Sequence, residues 1–295
     1  MNSKRKYWKK SGIWMVLAVL ILGLAAGCGQ TDQTGDEGKN KAINIGYVNW
    51  AEDVAVSNLW KVLLEEKGYE VNLKSLDVAP LFVGLNKGDL DVFMDSWLPV
   101  THQSYWEKYK DNLDDYGQWY DGEAKIGLVV PSYVTISSIE ELNQQKDQFG
   151  DKITGIDPGA GIMKATDQAV KDYSLDYDVV QSSEAAMMTA LEKAYRNNEW
   201  IAITGWSPHW MFAKYDLKYL EDPENTYGDA EGIHTLANKD FTKDNPEVAD
   251  MLKKFKMDDQ QIGSLESLIN DGMKPEDAAK QWIQDNRDIV DSWLN

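Results

Sequence analysis

The sequence predicts a two-lobed α/β protein with a ligand cleft between its lobes, and three observations predict it. From Ala42 onward, short apolar runs alternate with helical stretches, an order that builds helix-covered sheets. A helix, turn and strand block ending in W-x-P occurs twice, with its Trp at 97 and again 109 residues later at 206. The residues that stand out gather at predicted strand ends, where open α/β sheets bind their ligands.

Composition sets the bounds. A chain of 295 residues that is 27% charged and 43% hydrophobic, with 8 Pro and 22 Gly, is long enough for two lobes and ordinary enough to fold. The net charge is −19, from 49 acids against 30 bases, and no basic block follows the first ten residues. That excludes the electrostatic footprint of a nucleic-acid binder. One Cys forms no internal disulfide, and three scattered His make no zinc spacing, so neither metal nor cofactor is indicated.

The amino terminus reads as an address. Residues 1–27 carry Lys4, Arg5, Lys6, Lys9 and Lys10, then the apolar run Ile13 to Ala26, 14 residues long. A membrane-spanning helix needs about 20, so this is a secretory signal. Its end, Leu24-Ala25-Ala26-Gly27-Cys28, resembles a bacterial lipobox, with Ala25 where Leu is commoner. Cys28 is therefore expected to carry a lipid and to hold the protein on the extracytoplasmic face of the cell membrane. Residues 28–41 read as a flexible tether: after Cys28 they hold three Gly and no large apolar side chain.

The folded elements follow in order. Ile43 to Val48 predicts a strand, and Val54 to Glu66 a helix with apolar residues at 56, 59, 60, 63 and 64. Gly68 stops that helix, and Val71 to Leu76 alternates as a second strand. Leu81 to Pro99 is the first copy of the internal block, and Met187 to Pro208 the second. Each half opens on a strand that runs into an unusual turn: Ile45 to Trp50 first, then Ile153 to Ile162. Ile126 to Pro131 predicts a strand crossing between the lobes, and Ile233 to Ala237 the return. The last helices, Val248 to Lys256 and Pro275 to Leu294, go back to the first lobe. Lobe 1 is thus expected over 42–130 plus 233–295, and lobe 2 over 131–232.

Trp50, Trp97 and Trp206 each end a predicted apolar strand, whereas Trp60, Trp106, Trp200, Trp282 and Trp293 sit where packing accounts for them. Several indoles around one cleft suit a cation that donates no hydrogen bonds, at ~0.5–2 kcal/mol per contact. Asp157-Pro158-Gly159-Ala160-Gly161-Ile162 offers the opposite chemistry, since its glycines lead into a helix whose first amides favour an anion. His102, five residues after Trp97, can donate to that anion or serve only structure. A soft cation and a carboxylate in one site describe a zwitterion such as glycine betaine.

These residues carry a family resemblance. Y-V-N-W (47–50), D-S-W-L-P-V-T-H (95–102), G-I-D-P-G-A-G-I-M (155–163) and I-T-G-W-S-P-H-W-M-F (203–212) resemble the substrate-binding lipoproteins of glycine betaine ABC importers. The likeness extends over nearly all of the mature chain, including K-Y-L-E-D-P (218–223) and G-I-H-T (232–235). It implies a class II periplasmic-type binding protein that delivers its ligand to a membrane permease with its ATPase, for osmoprotection. It further implies that Trp50, Trp97 and Trp206 form the aromatic cage, and that His102 with the amides of Gly161 and Ile162 holds the carboxylate. Asn49 and Val100 depart from the family pattern beside the cage, which leaves carnitine, choline and proline betaine open as ligands.

An enzyme reading finds no G-x-S-x-G, H-E-x-x-H or P-loop. Asp89, Asp91 and Asp95 share one predicted strand face, but G-D-L-D (88–91) reads as a turn. A carbohydrate-binding or hydrolysing lipoprotein remains the other class, because Trp also stacks on sugars. Sugar sites need a ring of polar partners, whereas a betaine cage needs bare aromatic faces.

Overall fold

A computed structural model describes residues 42–295. The expected signal (1–27), Cys28 and the tether (28–41) lie outside the described residues. The first half runs β1 (Ile43–Tyr47), α1 (Ala51–Glu66), β2 (Val71–Ser75), α2 (Val78–Lys87), β3 (Val92–Leu98), α3 (Gln103–Tyr109) and β4 (Leu113–Gln118). The second runs β5 (Lys125–Pro131), β6 (Lys152–Thr154), α4 (Gly161–Asp172), β7 (Asp178–Val180), α5 (Glu184–Asn197), β8 (Ala202–Ser207), a short α6 (Met211–Lys214) and β9 (Leu217–Tyr219). β10 (Gly232–Asn238) leads to α7 (Lys239–Asp244), α8 (Pro246–Lys254), α9 (Asp259–Asn270), α10 (Pro275–Asp285) and α11 (Arg287–Leu294).

Two five-stranded sheets result, in the orders β2-β1-β3-β10-β4 and β7-β6-β8-β5-β9. They share one plan. In each, the first strand of a βαβαβ unit pairs parallel with the other two, and a fourth strand joins antiparallel. That fourth strand comes from far along the chain: β10 returns to the first sheet, and β5 opens the second. The internal echo in the sequence is therefore a repeated topology, and both W-x-P motifs end with a cis peptide before proline.

Two details differ from the sequence reading. β5, expected at the end of lobe 1, pairs with β8 and β9 in the second sheet. The crossing falls earlier, between Tyr120 and Lys125, because the apolar run 126–131 is buried among second-sheet strands. The stretch 275–294 breaks at Asn286, whose side-chain amide donates to the Trp282 carbonyl at 2.9 Å and turns the chain. A further helix, α9, went unread although its capping box, Asp258 with Gln261, was visible in sequence.

The core is largely apolar in both sheets, with Asp95, Ser96, Thr204 and Thr235 buried in it. All seven residues of β3 are buried, as expected for a central strand covered on both faces. Trp60, Trp282 and Trp293 are packing residues: Trp60 and Trp293 stack at 6.5 Å between centroids, and Trp282 and Trp293 at 6.1 Å. Trp106 and Trp200 are half-buried against the core. Asp91 is structural too, accepting from the Asn44 amide at 2.7 Å and so tying β1 to the turn before β3.

Candidate functional site

Each sheet delivers its Trp residues to one place. Trp50 ends the turn after β1 and starts α1 in an extended conformation. Asp53 fixes that turn by reaching back from the first turn of α1 to accept the Val48 amide at 2.7 Å, while Ser57 donates to its other oxygen at 3.0 Å. Trp97 and Trp206 lie near the ends of β3 and β8, the equivalent third strands of the two units. All three are at least 95% buried and line one cleft. His102, Gly161 and Ile162 line it as well, so the structure brings the six ligand-site residues named from sequence together. Glu52, Thr101, Ile126, Ile156 and Ala160 complete the lining and were not singled out.

Part of the cleft gathers hydrogen-bond donors. The Trp97 backbone amide donates to Nδ1 of His102 at 3.0 Å. Nδ1 is therefore the bare nitrogen, and the ring proton sits on Nε2. Nε2 is buried and has no hydrogen-bond partner among the described residues. Burial, with the Lys164 charge adding to it, lowers His102 to about 3, so the ring is a neutral donor at physiological pH. Beside it, α4 begins without a side-chain cap. The Ala160 carbonyl takes the Met163 and Lys164 amides, leaving those of Gly161 and Ile162 outside the helical ladder.

Gly161 is required by contact as well. A Cβ there would stand 2.3 Å from the Thr101 carbonyl oxygen, so only glycine lets the mouth of α4 approach the turn that carries His102. Glu231 holds that turn by accepting the Val100 and Thr101 amides, each at 3.0 Å. The Tyr105 hydroxyl, from α3, bonds the Gly159 carbonyl at 3.0 Å.

Two of the three indoles turn their N–H groups to buried carboxyls, whereas Trp50 Nε1 is buried without a hydrogen-bond partner among the described residues. Trp97 Nε1 donates to Asp95 at 2.9 Å, and Trp206 Nε1 to Glu52 at 2.9 Å. Burial raises Asp95 to about 8 despite the Trp97 bond, with Glu184 and Glu231 adding. Burial likewise raises Glu52 well above the carboxylate range, helped by Asp95, Glu266 and Glu184. Carboxyls so close and so dry do not all ionise. Asp95 and Glu52 serve as acceptors for the indoles, and among the described residues no group of His, Cys, Asp and Glu is arranged to hold a metal.

Residues 41–285 match the sequence model of the substrate-binding domain of the ABC-type glycine betaine transport system. The glycine betaine/carnitine transport binding protein GbuC of Listeria monocytogenes is 45% identical over 164 residues, covering 55% of this chain and 55% of GbuC, so the match spans about half of that relative. The crystal structure of lactococcal OpuAC, closed on glycine betaine, superposes with a TM-score of 0.82 at 41% identity, over 87% of this chain and 100% of that one. An ABC-transporter choline-binding protein in complex with choline gives 0.79 at 27% identity, over 86% and 91%.

The buried carboxyls give a pH prediction. Asp95 holds its proton to about pH 8 when folded against an ordinary value of 3.8. The stability this contributes is complete below about pH 4 and lost as pH rises through 8. Asp95→Asn keeps an acceptor for Trp97 and cannot ionise. Its thermal midpoint is expected to fall less between pH 5 and pH 9 than that of the wild type; equal falls would show that Asp95 ionises freely.

Proposed function

Because the chain belongs to the family of substrate-binding domains of ABC-type glycine betaine transport systems, we propose that it captures glycine betaine or a closely related betaine and delivers it to an ABC permease with its ATPase. In this reading Cys28 carries a lipid, the tether 28–41 spaces the domain from the membrane, and the protein works on the outer face of the cell membrane in osmoprotection. No described helix is long and apolar enough to cross a membrane, which fits anchoring by the amino terminus.

A single observation supports the ligand assignment: one cleft is lined by three indoles, by a buried neutral His102 donor on which Trp50 stacks, and by the uncapped first residues of α4. A trimethylammonium group has no N–H to satisfy. Its charge is spread over methyl groups that pack on indole faces, where cation–π attraction contributes ~0.5–2 kcal/mol per ring. The carboxylate accepts from His102 Nε2 and from the Gly161 and Ile162 amides, aided by the α4 dipole and the Lys164 charge. The ligand is neutral overall, so the acid excess of the protein does not oppose it.

The likeness to a choline-binding protein keeps choline as a second reading. Choline has no carboxylate, and it would leave His102 and the two amides without an acceptor in a dry site. Carnitine and proline betaine keep the carboxylate and differ in bulk. A sugar finds few polar partners here: beside the indole N–H groups, the lining side chains that offer them are Glu52, Thr101 and His102.

Intrinsic Trp fluorescence is expected to shift or quench on adding glycine betaine at micromolar concentration and to ignore glycine, which has the carboxylate and no methyl groups. Equal responses would remove the cage. His102→Ala is expected to weaken glycine betaine binding by ~1–3 kcal/mol, the range for a bond to a charged partner, and to leave choline nearly unaffected. Calorimetry that finds the same loss for both would take His102 out of the carboxylate role.

A further inference from the structure

We propose that Glu52 is a positioning residue of the cleft, holding Trp206 from the opposite lobe so that the third wall of the cage forms when the lobes meet. The inference rests on the function proposed above and concerns a side chain outside the six residues of that site.

Glu52 belongs to α1, beside the first sheet, and Trp206 to β8 in the second. Their hydrogen bond, from Nε1 to Oε2 at 2.9 Å, joins residues 154 positions apart, and both are almost wholly buried. Glu52 also lines the cleft. A second tie runs in the other direction: the Ala51 amide, in α1, donates to Glu184 Oε2 in α5 at 2.9 Å. His209 closes the ring. Its Nδ1 accepts the Met211 amide at 3.0 Å, so its proton is on Nε2, which faces Glu184 Oε1 at 3.1 Å. The same imidazole packs edge-on against Trp206, with 4.8 Å between centroids and 89° between planes.

Three consecutive residues thus do three jobs. Trp50 is a wall of the cage, Ala51 ties α1 to Glu184, and Glu52 ties α1 to Trp206. The walls contributed by the two sheets are coupled through bonds that form where α1 meets β8 and α5. Burial and the neighbouring Asp95, Glu266 and Glu184 favour the neutral carboxyl of Glu52. A neutral carboxyl accepts from an indole through its carbonyl oxygen and leaves the attraction of a ligand cation to the rings.

The test compares variants that keep or lose the acceptor, with glycine betaine affinity read by calorimetry and the ligand-free fold by thermal melting. Glu52→Gln retains an oxygen acceptor and is expected to bind within about threefold of wild type. Glu52→Leu fills similar space without one and is expected to bind about tenfold more weakly, since it strands a buried indole N–H. Trp206→Phe keeps an aromatic face but has no N–H to hold. In that background Glu52→Leu should change affinity by less than about twofold. If Glu52→Leu does not fold, Glu52→Met replaces it.

Equal losses for the Gln and Leu variants would overturn the proposal, as would an undiminished loss in the Trp206→Phe background. Those outcomes differ from failure of the function itself, in which the wild type would not bind glycine betaine at all.

Discussion

The Trp97 backbone amide donates to Nδ1 of His102, and the polarity of the cleft depends on that bond. Because Nδ1 is occupied as an acceptor, the ring proton must sit on Nε2, buried and unpartnered among the described residues. The bond also joins the cage to the anion end directly, since the residue that fixes the imidazole is itself a wall of the cage. Trp50 stacks on the other side of the ring at 5.8 Å between centroids and 15° between planes. A neutral donor suits this position better than an imidazolium. Burial makes the charged ring costly, and a neutral N–H holds a carboxylate without depending on pH in the physiological range.

From that bond the rest of the site divides by charge. Towards α4 lie His102, two free amides, a helix dipole and Lys164. Towards the indoles lie Glu52, Asp95, Glu184 and Glu266, which bond to N–H groups or face one another in dry surroundings. Under the proposed function a zwitterion finds partners on both sides of this division. The acid excess of the whole chain plays no part in the choice. In the proposed function the choice lies with the local order of donors and aromatic faces, which elements of both halves of the chain bring to one cleft.

Much of this was legible in the sequence, for identifiable reasons. Trp50, Trp97 and Trp206 were marked by position, because a Trp after an apolar strand run sits where a chain leaves a sheet. The W-x-P echo was legible because the two lobes repeat one unit, so each half served as a check on the other. Gly161 stood out as a turn glycine, but its reason did not: the Thr101 carbonyl that excludes a Cβ lies 60 residues away. Glu52 and Glu184 were unreadable for the same cause, because an acid in the first turn of a helix looks like a solvent-facing cap until the opposite lobe buries it. The break at Asn286 was missed because a helical period continues through it, and a side-chain bond to the Trp282 carbonyl decides the turn. Periodicity and position thus carried the fold and the meeting of the three Trp in one cleft, while contacts between lobes carried what holds them there.

A crystal structure of the mature domain with glycine betaine tests the central claim most directly. The expected density has the ammonium methyl groups between Trp50, Trp97 and Trp206, and a carboxylate oxygen within hydrogen-bond distance of His102 Nε2 and of the Gly161 and Ile162 amides. A ligand bound with its carboxylate towards Glu52 and Asp95, or outside the cleft, would contradict it.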